Sequence, residues 1–296
     1  MKNLTIFRTE KGWKPDFDLL KNNLSMPDKL GFGWKVLRND EPVITVGGNN
    51  LITLEKQEKL LPKQVIENEL KLRIYQQIEE EQGYKVGKKM KRDLKEQITE
   101  SLYAKAFTVS KFFNVWINTE HDLMCVETTS ESAAEDVLKF LIRDFGWSGK
   151  RFNTFNHIES FMRGLIVGDD SIPEIFSLGR SCVLQDRDES GKKITYKNES
   201  LDTGIVSNYV MEGKRPVKLE ISLHSGDEGC FFTIDNKFII SKITLANLIE
   251  DHSEFDTDDD YFDNEFAIRS GQCLQIINSL IETLGEESVD QQSEAA

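Results

Sequence analysis

Two apolar stripes with helical spacing constrain the fold of this chain more than any other feature. The first stripe consists of Ile66, Leu70, Ile74 and Ile78, and the second consists of Met90, Leu94, Ile98 and Leu102. Apolar residues that recur at every fourth position lie along one face of a helix. Gly83 and Gly87 stand between the two stripes, where a turn is required. Residues 60–107 are therefore predicted to form an antiparallel helical hairpin.

The turn of this predicted hairpin is basic, although the chain as a whole is acidic. The formal net charge is −14, and thirteen acidic residues against one basic residue in 251–296 account for −12 of it. Residues 85–95 have the opposite balance, with one acidic residue against six basic ones: Lys85, Lys88, Lys89, Lys91, Arg92 and Lys95. The charge is polarised along the chain, so the net value does not exclude a polyanionic partner.

Four of these basic residues share one face of the second predicted helix. They are Lys88, Lys91, Arg92 and Lys95, at spacings i, i+3, i+4 and i+7, and they are called the basic ridge below. Cations at a helix N-terminus oppose the macrodipole by roughly 0.3–1 kcal/mol each, so this placement needs another reason. The functional interpretation is contact with phosphates without base recognition. The alternative is a solvated helix face with incidental lysines, and composition alone leaves both open.

Outside the hairpin, strand and helix patterns are mixed without a regular βαβ repeat, which predicts an α+β fold with mixed antiparallel sheets. Strands are predicted at 4–8, 43–46, 50–54, 111–117, 123–126, 182–185, 193–197, 217–223, 230–234, 237–243 and 266–269. Helices are predicted at 16–24, 132–145, 202–211 and 273–284, whereas 156–164 fits either element. The predicted parts are an N-terminal α+β region 1–59, the hairpin 60–107, an α+β remainder 108–284 with a C-terminal helix, and a flexible acidic tail 285–296.

The segment 251–265 contains eight acidic residues and no lysine or arginine. Part of it matches the D-x-D-x-D opening of a calcium loop, but Tyr261 and Ala267 stand where that loop needs glycine and glutamate. A solvated acidic loop is therefore predicted. The segment also motivates a second functional hypothesis, an acidic protein-interaction module that mimics DNA and does not bind it.

The sequence offers little support for catalysis. The four histidines (His121, His157, His224 and His252) are isolated, and no nucleophile elbow or phosphate-binding glycine loop is present. No catalytic residue, metal site or cofactor is predicted, and a metal-dependent nuclease is only a third hypothesis. The widely spaced cysteines indicate free thiols in a reducing cytosol, and no apolar run predicts a membrane span or a secretory signal. The aromatic residues Phe107, Phe112, Phe113 and Trp116 are predicted as core or interface residues, with a base-stacking platform as the alternative.

Several blocks occur in an order and spacing that is similar to a known family. These blocks are MKNLTIFR, KLLPKQVI, SLYAKAF, VWIN, AAEDVLKFL and IINSLIETLG. They resemble the bacterial recombination-associated RdgC family over essentially the whole chain, and none of them is a catalytic signature. The stretch between Met26 and Pro42 is shorter than is usual in that family.

The resemblance implies an α+β protein without enzymatic activity, whose two subunits close head-to-head and tail-to-tail into a ring. Duplex DNA would pass through a positively charged central hole with little sequence preference. Such proteins are antagonists of RecA-promoted recombination because they occupy the duplex. The resemblance therefore implies a homodimer, double-stranded DNA as the partner, no membrane and a cytoplasmic, nucleoid-associated location.

The resemblance also suggests individual residues. Phe107 matches an aromatic residue of the subunit contact, and Lys197 with Asn198 matches a Lys-Gln pair at the other junction, with Asn in place of Gln. Residues 85–95 match a basic turn of the family's helical hairpin, without identical spacing. The predicted DNA-binding set is therefore Lys197 together with the six basic residues of 85–95.

Overall fold

The computed structural model describes residues 1–25, 30–74, 78, 83, 85–188, 191–225, 228–245 and 257–285. The strands are β1 (Leu4–Thr9), β2 (Gly31–Trp34), β3 (Val43–Val46), β4 (Asn49–Lys59), β5 (Thr108–Asn118), β6 (Leu123–Val126), β7 (Gly149–Arg151), β8 (Phe176–Gln185), β9 (Lys193–Tyr196), β10 (Arg215–Ser225), β11 (Glu228–Asp235) and β12 (Ile239–Leu245). The helices are α1 (Lys63–Leu72), α2 (Lys88–Lys105), α3 (Glu131–Phe145), α4 (Ile158–Val167), α5 (Ile205–Met211) and α6 (Asp258–Leu284), with a 3₁₀ helix at Phe17–Asn23.

The strands form one twelve-stranded antiparallel sheet within the described ranges. Its order is β2-β4-β5-β6-β1-β12-β11-β10-β8-β9, with β3 on β4 and β7 on β1. The α+β class is confirmed, but a single sheet replaces the several sheets that the pattern predicted. Six of the eleven described strand pairs join consecutive strands, whereas β1 pairs with the distant strands β6, β7 and β12.

Helices cover both faces of the central part of the sheet. In β6, Met124 and Val126 belong to the apolar cluster that includes α3, whereas Leu123 and Cys125 belong to the cluster that includes α4 and α6. Successive residues of a strand point to opposite faces, so a four-residue strand buried throughout must be covered on both sides. In the part from β12 to β9, the second cluster covers one face, and Phe231 is 46% exposed on the other.

Helices α1 and α2 pack on each other away from the sheet. Ile66 and Leu70 of α1 and Ile98 of α2 are buried in a small apolar cluster that is separate from the two clusters of the sheet. Each stripe therefore contributes to a helix–helix contact. The turn of the predicted hairpin falls largely outside the described residues, so the hairpin itself stays a prediction.

The hairpin between β3 and β4 confirms the turn predicted at Gly47 and Gly48. Val46 pairs with Asn49, which leaves two residues in the loop, and both glycines have positive φ, at 53° and 78°. A two-residue loop of this kind favours glycine because its backbone lies in the left-handed region.

The C-terminal region corrects two predictions. Residues 266–269, predicted as a strand, lie inside α6, and 258–265, predicted as an acidic loop, form its first turns. The Thr257 hydroxyl caps this helix by accepting a hydrogen bond from the Asp260 N–H at 3.1 Å. Acidic side chains near a helix N-terminus interact favourably with the macrodipole, so these residues favour helix formation here. Residues 251–256 lie outside the described residues.

Two ion pairs of Arg38 join the start of α6 to the N-terminal part of the chain. Arg38 Nε lies 3.1 Å from Asp259 Oδ1, and Arg38 Nη1 lies 2.9 Å from Asp263 Oδ1. The guanidinium carbon also lies 5.7 Å from the centre of the Phe262 ring. Two carboxylates of the acidic segment are therefore engaged within the chain.

Alanine substitutions at two glycines should change the stability of the fold in opposite directions. A Cβ at Gly149 would collide with the Arg8 carbonyl across the β1–β7 pair, so Gly149→Ala should lower the free energy of unfolding by about 1–3 kcal/mol. A Cβ at Gly271 in α6 meets no atom within 4 Å, so Gly271→Ala should raise it by about 0.5–1 kcal/mol. Urea unfolding measures the free energy of unfolding of both variants. Equal changes in the two variants would contradict a close backbone contact between β1 and β7 at Gly149.

Candidate nucleic-acid interface

A groove of about 790 Å³ lies between α1 and α2. Its lining consists of Glu67, Leu70, Lys71, Ile74, Lys88, Lys91, Arg92 and Lys95, and it is called the cationic groove below. The structure thus brings all four residues of the basic ridge to one surface. Two apolar residues and one carboxylate complete the lining together with Lys71.

Helix geometry explains why the ridge faces this groove. The helix α2 begins after Gly87, without a side-chain cap, and Ile98 is fully buried in the contact with α1. Residues at i, i+3, i+4 and i+7 lie one above another on a helix, so anchoring one apolar stripe orients the neighbouring basic stripe as a unit. The four charges therefore form a continuous wall beside the apolar contact.

The charges of this wall are largely available to solvent. All six basic residues of 85–95 are exposed, and Arg92 lies 3.6 Å from Asp93 in an ion pair on the surface. Within the described ranges, the five lysines of this set form no ion pair. Such a surface can hold phosphates through charge without selecting bases. Lys85 and Lys89 are exposed but do not line the groove.

Lys71 is a fifth cation of the groove, and the sequence pattern did not predict it. It lies on α1 next to Leu70, opposite the ridge, and it is exposed. The available signal was its position beside the first apolar stripe, because a residue adjacent to a buried stripe borders the contact between two packed helices. Glu67 offsets one charge of the groove.

Lys197 does not lie in the groove. It follows β9, the last strand of the sheet order, whereas α2 leads into β5 near the other end. Lys197 and Asn198 are exposed, and Asn198 has φ of 58°. The Asn198 carbonyl accepts a hydrogen bond from Arg180 Nη2 at 3.1 Å, which fixes this turn. The predicted DNA-binding set is therefore divided between two separate places.

Phe107 lies in an exposed apolar patch between α2 and β5. Its side chain is 84% exposed, and its carbonyl accepts a hydrogen bond from the Leu60 N–H at 2.8 Å. Leu60, Val65 and Tyr103 are also exposed at the same end of the helix pair. Exposed apolar residues that cluster on a surface can mark a contact with another molecule.

Among the aromatic residues that follow Phe107 in β5, Trp116 is 1% exposed and belongs to the core, as predicted. Phe112 is 50% exposed, and Lys35 Nζ lies 4.4 Å from the centre of its ring. Phe113 is partly buried against the cluster that includes α3.

The described residues contain no group of three or more His, Cys, Asp or Glu side chains that could hold a metal ion. Burial raises the pKa of the Cys182 and Cys230 thiols to about 11 and that of Cys273 to about 12. The pKa of Cys125 is also raised, chiefly by its complete burial. All four thiols are therefore poor nucleophiles at neutral pH. None of the described helices is both long and apolar enough to cross a bilayer.

These features define an α+β protein with a large antiparallel sheet and a cationic surface on a separate pair of helices. The chain belongs to the RdgC family, because a model of that family, described as "Putative exonuclease, RdgC", matches residues 1–287. The similarity therefore covers the sheet, the helix pair and α6.

Relatives named "Recombination-associated protein RdgC" match over nearly their whole length. The protein of Dechloromonas aromatica is 27% identical over 306 residues, which cover 98% of each chain. The protein of Bordetella pertussis is 26% identical over 301 residues, and that of Cupriavidus pinatubonensis is 27% identical over 300; each match covers 97% of this chain and 98% of the relative. The relatives' names describe recombination, whereas the family description mentions an exonuclease.

Proposed function

We propose that the protein is a homodimer that encircles duplex DNA without sequence preference and thereby inhibits or modulates recombination by RecA. The exposed cationic wall formed by the basic ridge is the observation that carries this proposal. A row of exposed cations along one side of the groove suits phosphate contact, and phosphates are the same in every sequence.

The positions of the two proposed subunit contacts support ring closure. Phe107 precedes β5, and Lys197 with Asn198 follows β9, which is seven strand steps farther along the sheet. Neighbouring strands lie about 4.7–4.9 Å apart, so these contacts are separated by roughly 33 Å before the twist of the sheet is considered. Two self-complementary contacts that are far apart on one sheet allow a two-fold dimer to enclose a hole.

The proposed mechanism uses occupancy of the duplex and no chemistry. A closed protein ring on DNA would deny a recombinase access to the strand that it must pair, because the ring occupies the duplex. This role places the protein on the nucleoid in the cytoplasm, with double-stranded DNA and a second copy of the chain as its partners.

The structure disfavours the DNA-mimic alternative for the described part of the acidic segment. Asp259 and Asp263 already bind Arg38 of the same chain, and Asp260 accepts a hydrogen bond from the Thr257 hydroxyl at 2.7 Å. Carboxylates engaged in this way are less available to a basic partner.

A titration with salt tests phosphate-dominated binding. The logarithm of the affinity for duplex DNA should fall linearly with the logarithm of salt concentration, with a slope magnitude of about 0.9 for each neutralised phosphate, or about 3–4 if one ridge contacts four. Mobility shifts of several unrelated duplexes should give the same slope and similar affinities. Binding that does not depend on salt, or that prefers one sequence strongly, would contradict the proposal.

A further inference from the structure

A second basic pocket, of about 490 Å³, lies at the sheet and is separate from the cationic groove. Its lining consists of Glu131, Lys150, Arg151, Phe152, Asn153, Ile158, Asn236, Lys237 and Phe238. Three cations face one carboxylate, so the pocket carries an excess of positive charge. None of these residues has a part in the proposed contacts of the helix pair or of the subunit junctions.

Two rigid backbone elements hold the cations. Lys150 and Arg151 lie on β7, where they pair with β1. Lys237 lies in the turn between β11 and β12, in which the Asp235 carboxylate accepts hydrogen bonds from the Lys237 N–H at 3.0 Å and the Ile239 N–H at 2.9 Å. Cations on such fixed elements need little reorganisation to bind an anion.

Glu131 orients two of these cations. Arg151 Nη1 donates to Glu131 Oε1 at 3.0 Å, and Lys237 Nζ donates to Glu131 Oε2. The hydrogen bond from Lys237 is the chief cause that lowers the pKa of this carboxyl, ahead of its charge interactions with Lys237 and Arg151. The pocket lining contains three cations and one carboxylate, so its formal charge is positive.

The pocket also contains an unusual backbone conformation. Phe238 has φ of 60°, which is unfavourable for a bulky residue and persists only where the surroundings require it. Its ring packs against Phe152, with 4.8 Å between the ring centres and 60° between the planes. Backbone outliers of this kind cluster at functional sites. Here the outlier lies in the lining of the pocket, next to Lys237.

We propose that this pocket binds a phosphate group among Lys150, Arg151 and Lys237. Lysine and arginine are the side chains that proteins use most often for this purpose, and the Asn153 and Asn236 amides supply further polar contacts at the pocket edge. The phosphate comes either from a nucleic-acid strand or from a free nucleotide. The nucleic-acid source rests on the proposed function, whereas the free-nucleotide source does not.

The test compares three ligands on the full chain. Deoxyadenosine monophosphate and deoxyadenosine, which lacks the phosphate, are titrated while backbone amide signals of Asn153, Asn236 and Phe238 are followed by NMR. A short duplex is titrated by mobility shift. The key variant carries Lys150→Gln and Lys237→Gln, which remove two charges of the pocket. A second variant, with Lys150→Arg and Lys237→Arg, retains these charges. The matched control removes two charges elsewhere, with Lys11→Gln and Lys139→Gln.

A free-nucleotide site predicts saturable shifts with the monophosphate alone and an affinity about fivefold weaker in the Gln variant. A nucleic-acid site predicts that duplex affinity in the Gln variant falls about fivefold and its salt slope by about 1–2. Either result requires that the Arg variant and the control keep binding. Equal binding of all ligands by the wild type and the Gln variant, or equal shifts with deoxyadenosine, would overturn the proposal.

These outcomes separate the pocket from the groove. If duplex binding survives charge reversal of the basic ridge, the proposed function fails, but a monophosphate response in the pocket can still appear. If the ridge variant loses binding and the pocket variant behaves as the wild type with every ligand, the pocket proposal alone fails.

Discussion

Reversing the four charges of the basic ridge, with Lys88, Lys91, Arg92 and Lys95 all changed to Glu, is expected to abolish duplex binding in a mobility-shift assay. The change replaces a cationic wall by an anionic one in each subunit. Interfaces that make 6–10 phosphate contacts lose about 10³–10⁵ in affinity from a fourfold rise in salt, so we expect direct reversal to cost at least ~100-fold. The side chains are exposed, and the fold should tolerate the change.

A matched variant separates this local effect from that of net charge. Lys11, Lys14, Lys139 and Lys218 are exposed lysines outside the groove, and changing them to Glu alters the net charge by the same amount. This variant should lose much less affinity than the ridge variant. Similar losses in both would show that total charge, and not the groove, determines binding.

Lysines of the basic run that lie inside and outside the groove allow a finer comparison. Lys85 and Lys89 belong to the same basic run but lie outside the groove lining. Changing both to Glu should therefore weaken binding less than changing Lys91 and Lys95 to Glu. The opposite order would place the DNA contact at the turn instead of at the groove.

The second large effect is expected at Phe107. Phe107→Glu should raise the dissociation constant of the dimer at least about tenfold, because burying a phenylalanine side chain contributes roughly 1.5–3 kcal/mol and two-fold symmetry brings two new carboxylates together. Light scattering over a dilution series measures the change from dimer towards the chain mass of 34.0 kDa.

Phe155 provides the control for this experiment. It is 71% exposed and lies near the end of α6, away from the helix pair. Phe155→Glu adds the same charge in place of the same exposed ring, and the dimer should persist. A dimer that is insensitive to Phe107→Glu would remove Phe107 from the subunit contact.

Local patterns in the sequence predicted the elements that depend on local physics. The helical stripes predicted α1 and α2, and the facing of the ridge follows from the periodicity of the helix. The turn at Gly47 and Gly48 was likewise predictable from residues that tolerate positive φ. The groove was not predicted, because it depends on how two helices pack and on Lys71 from the first of them.

Elements that depend on tertiary pairing were missed or misassigned. The strands β2 and β7 are short and begin with glycine, and their positions are set by distant partners on β4 and β1. The apolar residues near Phe266 form a short run that fits either a helix or a strand. They are helical in the structure because the residues on both sides of them continue as one helix. The second basic pocket joins Lys150 to Lys237 across the sheet, a proximity that no local pattern encodes.

Topological trapping tests the encircling ring most directly. Lys105→Cys and Glu199→Cys place exposed thiols beside the two proposed junctions, where a bismaleimide can join the subunits, while the native cysteines are buried. A ring cross-linked at both junctions on nicked circular plasmid should withstand high salt and detergent, and it should be released when the plasmid is linearised. Equal release from circular and linear DNA, with both cross-links complete, would contradict encirclement.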